Sequence, residues 1–309
     1  MNEWIKAQTQ PTHQNITMSE WAEEWLATYT KNLTSGSQRN KRTHLTSFCS
    51  FHHYGERPLT SFRPIDLQRY FNSLEGLTPT YIQGIRTTVR SVFNSAFSNQ
   101  IIDPFPLDAL TIPKGENGTH RAITEDERSI IVSTWQGHEM GKYAMGYLYT
   151  GCRRNELLAL QWNDIDLVQD TISINKSYDR LAKTYAPTKT KSGIRIIPLL
   201  KPLKDVLNTL PKDSPPFDAR KFYDKKWQNY LEYLKGFGIT ENITPHDLRD
   251  TYATFLYDLN VDVKLTQKLL GHKDVSTTMQ FYIRLSEGRE ERELNKIKGF
   301  FDTQIDTHS

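Results

Sequence analysis

Residues 150–157 read TGCRRNEL, and this stretch sets the organisation of the second half of the chain. Gly151 interrupts a helical pattern over residues 140–150, and a new helix is predicted over residues 155–161. Three further clusters follow, namely KTKSGIR at 189–195, HDLR at 246–249 and LLGH at 269–272, and Tyr282 comes ten residues after the last. Each cluster is ordinary by itself, and only the order and spacing of all of them are specific.

The composition is that of a folded chain with nearly balanced charge. The 309 residues are about the length of two domains, and 37% hydrophobic residues are enough for real cores. The net charge is only +3, so nucleic acid would have to be bound by locally segregated basic residues. We expect neither a membrane span nor a signal peptide, because no long apolar run is present. Two distant cysteines, Cys49 and Cys152, exclude a disulfide framework and favour a reducing, cytoplasmic compartment.

The N-terminal part of the chain predicts a helical domain behind a short arm. Residues 1–16 are polar and are expected to be a flexible arm, and residues 17–112 are predicted to form an all-helical domain. Ser19 is the expected cap of the first helix, which starts near Met18. The later helices are predicted over residues 37–54, 64–74 and 79–101.

Prolines and glycines between residues 103 and 118 predict a linker at 113–122, followed by a second domain at 123–309. Residues 171–179 alternate apolar and polar side chains, and residues 194–198 follow a turn, so each segment predicts a strand. The rest of this domain has a helical pattern. The expected fold class is therefore mainly α with one small antiparallel β-sheet, in a helical domain followed by a mixed α/β domain.

The basic residues suit attack on a phosphodiester. The transition state places extra negative charge on two non-bridging oxygens, and arginine offers paired donors that stay charged at any working pH. Arg153 and Arg249 come from separate segments and could clamp one phosphate from two sides. The reaction also needs a nucleophile and a proton donor for the departing 5′-oxygen, which tyrosine, lysine and histidine can provide.

His246 and Arg249 are predicted to share a face at the start of a helix. They lie three residues apart, and Thr244, Pro245 and Asp247 form a capping-box pattern around them. The N-terminus of a helix is also a favourable place for a phosphate. A histidine, an arginine and the positive end of a helix dipole could therefore converge on one anion.

Each candidate also has a structural alternative. Arg249 could pair with Asp247 or Asp250, and Arg153 could form a solvated ion pair with Glu156. The hairpin lysines could simply be surface residues, and Tyr282 could belong to the core.

The order of the clusters resembles that of the tyrosine recombinase, or phage integrase, family. The family pattern is T-G-x-R-x-x-E-L, a hairpin lysine, H-x-x-R, L-G-H and then a nucleophilic tyrosine. This chain supplies TGCRRNEL at 150–157, HDLR at 246–249, LGH at 270–272 and STTM at 276–279 before Tyr282. The first domain resembles the family's helical core-binding domain by helix pattern only.

The resemblance implies a role for each residue. Arg153 and Arg249 would bind the scissile phosphate, and Tyr282 would attack it to give a 3′-phosphotyrosine and a free 5′-hydroxyl. His246 would act in acid–base transfer, and His272 would hydrogen-bond the phosphate. Glu156 would orient the site without performing chemistry.

A hairpin lysine would protonate the departing 5′-oxygen. The family pattern Lys-Thr-x-x-Ser-x-Arg favours Lys189, whereas Lys191 lies nearer the turn, so both assignments stay open. Tyr252 and Tyr257 are interpreted as core. No metal and no other cofactor is expected, because arginines do the work of a divalent ion and the phosphotyrosine preserves the bond energy.

The implied partner is double-stranded DNA with inverted-repeat core sites, held by the two domains as a clamp and bound largely through its phosphates. Candidate DNA contacts on the fourth helix are Gln83, Arg86 and Arg90, which could equally form a solvated face. The tail carries charged residues at 286–293 and apolar Ile297, Phe300 and Phe301. It could dock onto a neighbouring subunit of a tetramer or onto its own domain. Accessory DNA-bending or directionality factors are possible further partners.

The expected function is recombination by the integrase of a mobile element, through a Holliday junction, in the nucleoid of the cell. A transposon or chromosome-dimer resolvase is the alternative within the family, and a type IB topoisomerase would share the cleavage chemistry. A non-catalytic, sequence-specific DNA-binding regulator is the alternative of another class. A covalent protein–DNA adduct would separate enzyme from regulator.

Overall fold

The computed structural model describes residues 16–103, 110–115, 121–188 and 191–287. The chain divides into two units, Met1–Thr119 and His120–Ser309. Most of the arm predicted at 1–16, the tail from 288 onwards and half of the predicted linker lie outside the described residues. No helix within the described ranges is long and apolar enough to cross a bilayer.

The first unit consists of helices packed around an aromatic core. Its helices are α1 Met18–Tyr29, α2 Ser35–Ser50, α3 Pro64–Asn72 and α4 Pro79–Ser98. Phe48 lies at the centre and makes ring contacts with Tyr54, Phe62, Tyr70 and Phe93. The contact with Phe62 is stacked and the other three are edge-to-face, and both kinds add to the stabilisation that burial of the rings provides.

The ends of these helices differ from the predicted ones. Thr17 caps α1, since its hydroxyl accepts a hydrogen bond from the backbone N–H of Glu20, so the assignment of the cap to Ser19 was wrong. α2 ends at Ser50 because His52 and His53 adopt left-handed backbone angles, which an α-helix cannot include. α3 and α4 also end two to three residues earlier than predicted.

The second unit carries the remaining elements. Its helices are α5 Glu125–Thr134, α6 Gly141–Thr150, α7 Arg154–Leu157, α8 Lys201–Thr209, α9 Asp224–Lys235, α10 Pro245–Asp258, α11 Val263–Leu270 and α12 Val275–Glu287. Its strands are β1 Ile165–Asp166, β2 Thr171–Ile174, β3 Lys176–Asp179, β4 Thr184–Pro187 and β5 Arg195–Pro198. The prediction of a mainly helical chain with little antiparallel sheet is confirmed.

The single strand predicted over residues 171–179 is wrong, because this segment forms two strands in two sheets. β2 pairs antiparallel with β1 and β5, whereas β3 pairs with β4. The exposed Asn175 lies between them and donates from its amide to Asp164, outside either ladder. Exposed β4 was missed because it has no alternating apolar pattern.

α6 passes through the core of the second unit and ends at the candidate site. Its residues from Tyr143 to Thr150 are all buried, and it packs along α10. Gly151 closes α6 in a left-handed conformation, with φ of 60°. α7, predicted over residues 155–161, is only one turn long and leaves Arg153 as its N-cap residue.

Candidate active site

The C-terminal end of α11 gathers three arginines from three other segments. Consecutive carbonyl oxygens accept hydrogen bonds there: Leu269 from Arg195 Nε at 2.7 Å, Leu270 from Arg249 Nη2 at 2.8 Å and Gly271 from Arg153 Nη2 at 2.7 Å. The last carbonyls of a helix lack intrahelical partners and carry the negative end of its dipole. Guanidinium groups therefore stabilise this helix end, which in turn holds them close together.

Gly271 fits this arrangement because it has no side chain. Its φ of 68° is left-handed, and a Cβ atom added there would lie 2.7 Å from Nη1 of Arg195. The backbone N–H of the next residue, His272, donates to the carbonyl of Gln267 and completes the helix cap. The glycine of the LGH motif thus makes room for an arginine as well as ending a helix.

Arg249 is buried at the start of α10, with 4% of its surface exposed. Its Nη1 donates to the carbonyl of Gly151 at 2.5 Å and its Nη2 to that of Leu270. Burial, and secondly the positive charge of Arg153, lower the pKa of Arg249 to about 10. Arg249 is therefore charged at neutral pH. A bound anion beside it would offset the free energy that burial of this charge costs.

Glu156 joins two of the arginines. Its Oε1 accepts from Nη1 of Arg153 at 2.8 Å, and its Oε2 accepts from Nη2 of Arg195 at 2.9 Å. Burial alone would raise the pKa of this carboxyl, but Arg195 and Arg153 outweigh it and lower the pKa. Glu156 is thus an ionised carboxylate whose contacts fix two side chains.

His246 lies at the N-terminus of α10, beside an open cleft. Thr244 and Asp247 form the predicted capping box, which is confirmed, with the backbone N–H of Thr244 donating to Asp247 Oδ2 at 2.7 Å. The cleft of about 400 Å³ is lined by Cys152, Arg153, Arg154, Thr244, Pro245, His246 and Arg249. The two predicted phosphate ligands, Arg153 and Arg249, therefore line the same cleft as His246, the predicted proton carrier.

His272 follows the helix cap directly. Its Nδ1 lies 2.8 Å from the hydroxyl of Thr278 on α12. Burial, and secondly the positive charges of Arg249, Arg153 and Arg195, lower the pKa of His272 to about 4. The imidazole is therefore neutral at pH 7 in the absence of a bound anion.

Tyr282 lies on α12, where its hydroxyl is engaged by α11. The hydroxyl donates to Oγ1 of Thr266 at 2.8 Å and lies 3.4 Å from the carbonyl oxygen of Val261. Its ring packs edge-to-face on Tyr257. Burial raises the pKa of Tyr282, and Thr266 opposes this only in part, because its hydroxyl can donate a hydrogen bond to the ionised phenolate. The described hydrogen bonds of the phenol therefore do not reach the arginines.

The structure does not decide the roles of the remaining predicted site residues, which are two lysines and three residues of α4. Lys189 lies outside the described residues, and Lys191 begins a short 3-10 helix, Lys191–Gly193, with no description of its side chain. The choice between the two lysines stays a prediction. Gln83, Arg86 and Arg90 lie on α4 of the first unit, where Gln83 and Arg90 are exposed and Arg86 is half-buried. Their role in DNA contact also stays a prediction.

Arg195 is the site residue that sequence reasoning missed, although the quoted cluster at 189–195 ends on it. The signal that could have identified it is its place in a strand. Exposed Ile194, just before β5, and exposed Ile196 alternate with buried Arg195 and Ile197. An arginine in the inward register of a strand needs partners inside the fold.

The chain is similar to known proteins in sequence and in fold. A sequence model described as the phage integrase family matches residues 122–289. The tyrosine recombinase XerD of Listeria monocytogenes is 28% identical over 240 residues, covering 71% of this chain and 76% of that protein. The Tn1549 transposon integrase, solved with a circular intermediate DNA, is similar with a TM-score of 0.72 and 16% identity, covering 90% of this chain and 99% of that chain. A lambda integrase tetramer bound to a Holliday junction gives a TM-score of 0.65 and 19% identity, covering 90% and 80% of the two chains.

Proposed function

The chain belongs to the phage integrase family of tyrosine-type site-specific recombinases, and we propose that Tyr282 is its nucleophile and a mobile element its substrate. The observation that carries the proposal is the set of three guanidinium groups on the consecutive carbonyls of residues 269–271. Two of these, from Arg153 and Arg249, line an open cleft that a phosphate can enter.

In the proposed cleavage step, the phenolic oxygen of Tyr282 attacks the phosphorus and the 5′-oxygen leaves. The phenol gives its proton to His246, and Lys189 or Lys191 gives a proton to the departing oxygen. Arg153 and Arg249 stabilise the charge that develops on the non-bridging oxygens. Attack by a 5′-hydroxyl on the phosphotyrosine reverses these bonds and rejoins the strand without a nucleotide cofactor.

The two histidines have different protonation tasks. If Thr278 donates to Nδ1 of His272, the neutral ring carries its proton on Nε2 and can donate it to a phosphate oxygen. His246 is exposed at the mouth of the cleft and is proposed to exchange protons with the reacting groups. Glu156 keeps Arg153 in place.

The hydroxyl of Tyr282 is held about one helical turn away from the carbonyl that binds Arg249. Thr266, which holds it, lies four residues before Leu270, whose carbonyl holds Arg249. Four residues make about one turn of helix, a rise of about 5.4–6 Å. We propose that Tyr282 leaves Thr266 when DNA binds and approaches the phosphate clamped beside the end of α11.

We also propose DNA with inverted-repeat core sites as the partner, in the nucleoid, and a tetramer that passes through a Holliday junction. Likeness to the DNA-bound integrases supports this assembly. Gln83, Arg86 and Arg90 are proposed DNA contacts, and the C-terminal tail is the proposed link between subunits. The similarity to XerD keeps a resolvase as the second candidate.

A suicide substrate tests the proposal. DNA nicked close to the cleavage site loses the short fragment that carries the free 5′-hydroxyl after attack, so the covalent adduct accumulates. The wild type should form the adduct and Tyr282→Phe should not, whereas Tyr257→Phe, which alters the neighbouring ring, should retain it. An adduct on Tyr282→Phe would refute the assignment of the nucleophile. Tight binding without any adduct would indicate a DNA-binding regulator.

A further inference from the structure

Arg195 is a buried charged group beside the candidate site, and it contacts three segments. Only 1% of its side chain is exposed. Nε donates to the carbonyl of Leu269 at 2.7 Å, Nη1 to that of Gly193 at 3.0 Å, and Nη2 to Oε2 of Glu156 at 2.9 Å. The guanidinium fork therefore fixes the relative positions of three backbone segments.

Each of these segments carries a residue of the proposed reaction. The carbonyl of Leu269 belongs to the helix end that also holds Arg249 and Arg153. Glu156 accepts both the backbone N–H and the Nη1 of Arg153. Gly193 ends the short 3-10 helix that begins at Lys191, one of the two candidate lysines. A shift of Arg195 would therefore displace the groups that hold Arg153 and Arg249, and would also displace the short helix that begins at Lys191.

Burial prevents Arg195 from meeting the DNA itself. Its donors point at carbonyl and carboxylate oxygens and at the sulfur of Cys152, and Gly271 lies so close that an added Cβ would be 2.7 Å from Nη1. We propose that Arg195 is a positioning residue of the cleavage reaction, which holds Glu156 and the end of α11 so that Arg153 and Arg249 point at one phosphate. This inference rests on the proposed function.

Lysine in place of Arg195 separates charge from geometry. Its ammonium group can stay paired with Glu156, but it cannot make three directed contacts from one planar fork. The variant should therefore keep a charged partner for the buried carboxylate while leaving Leu269 and Gly193 less well held. The matched control is Arg220→Lys, since Arg220 forms a two-pronged ion pair with Asp218 and lines neither the cleft nor the end of α11.

The test compares two suicide substrates in single-turnover cleavage. One has an ordinary scissile phosphate, and the other has a methylphosphonate there, which removes one negative charge and reduces the need for two aligned arginines. On phosphate, Arg195→Lys should cleave about 100-fold more slowly than the wild type, as expected for loss of aligned transition-state donors. On methylphosphonate its loss should be under about tenfold, and DNA affinity should change little. Arg220→Lys should match the wild type on both.

The outcomes separate the two proposals. A wild type that forms no adduct refutes the proposed function and this inference with it. A wild type that cleaves, with a folded Arg195→Lys that keeps full activity or loses equally on both substrates, overturns the inference alone. If Arg195→Lys is unfolded at the assay temperature, Glu156→Gln replaces it, because it weakens the same contact from the other side. The same phosphate-selective loss is expected, and an equal loss overturns the inference.

Discussion

The hydroxyl of Tyr282 donates a hydrogen bond to the hydroxyl of Thr266 across 2.8 Å. Thr266 is fully buried and lies four residues before Leu270, the carbonyl of which holds Arg249. The eight residues of α11 therefore contact the proposed nucleophile on one turn and the proposed phosphate clamp on the next. The phenol must exchange this partner for the phosphorus before it can react.

Replacement of Thr266 by valine should speed cleavage. The change removes the hydrogen bond that the phenol must break, and a net hydrogen bond of about 0.5–1.5 kcal/mol corresponds to a rate increase of about two- to tenfold. Single-turnover cleavage at saturating DNA measures it. Thr254→Val, which removes a threonine hydroxyl bonded to the carbonyl of Asp250, is the control and should leave the rate unchanged. A tenfold fall for a folded Thr266→Val would mean that Thr266 aims the phenol at the phosphate.

Loss of the Glu156 carboxylate should destabilise the second unit strongly. Glu156→Ala leaves buried Arg195 without its ionic partner, which typically costs about 3–5 kcal/mol of unfolding free energy. The matched control is Glu232→Ala, because Glu232 pairs with Lys235 on the surface and should cost about 1 kcal/mol or less. Urea denaturation of both variants checks the difference, and equal costs would contradict the account.

Alanine at Gly151 should damage both stability and cleavage. Its left-handed backbone costs about 1–2 kcal/mol for a residue with a Cβ atom, and that atom would overlap the ring of Tyr252 at 2.3 Å. The overlap would displace the carbonyl that accepts from Arg249. Gly238→Ala is the control for backbone strain alone. Gly238 also has a positive φ, of 103°, but nothing lies within 4 Å of the atom that alanine adds. Cleavage by Gly151→Ala at the rate of Gly238→Ala would show that this carbonyl does not position Arg249.

Acid should destabilise the protein partly through His272. Its folded pKa of about 4 is below the ordinary value of about 6.5, so between these pH values the unfolded chain binds a proton that the folded chain rejects. The free energy of unfolding therefore falls as the pH drops from 7 to 5. His272→Asn should lose less stability than the wild type over that interval, as measured by urea denaturation at both pH values. An equal loss in both proteins would place the pH dependence elsewhere.

Local signals in the sequence predicted much of the fold. The starts of α3 and α4 follow from a proline at the first helical position, and the capping box of Thr244 and Asp247 marks the start of α10. The family resemblance, drawn from motif order, is confirmed by the matching family model over residues 122–289. The division of residues 171–179 into two strands was not predicted, because alternation continues across Asn175 and does not reveal which strand each half pairs with.

The convergence of Arg153 and Arg249 was predicted from the sequence, but the contacts that hold them were not. The motif spacing identified Arg153, Arg249 and His272, which the structure gathers at the end of α11. It could not show that the same helix end also holds Arg195, since a contact 74 residues apart depends on how β5 packs against α11. The pairing of Tyr282 with Thr266 was missed because it depends on how α12 packs against α11.

The central claim is that two guanidinium groups and one phenol meet at a single phosphorus. The most direct test is a structure of the protein bound to DNA fragments joined by vanadate, which mimics the five-coordinate phosphorus of the transition state. We predict that Arg153 and Arg249 each donate to vanadate oxygens over about 2.7–3.2 Å, with the oxygen of Tyr282 as an apical ligand. A complex in which the hydroxyl of Tyr282 still contacts Thr266, or in which either arginine is turned away from the vanadate, would contradict the account.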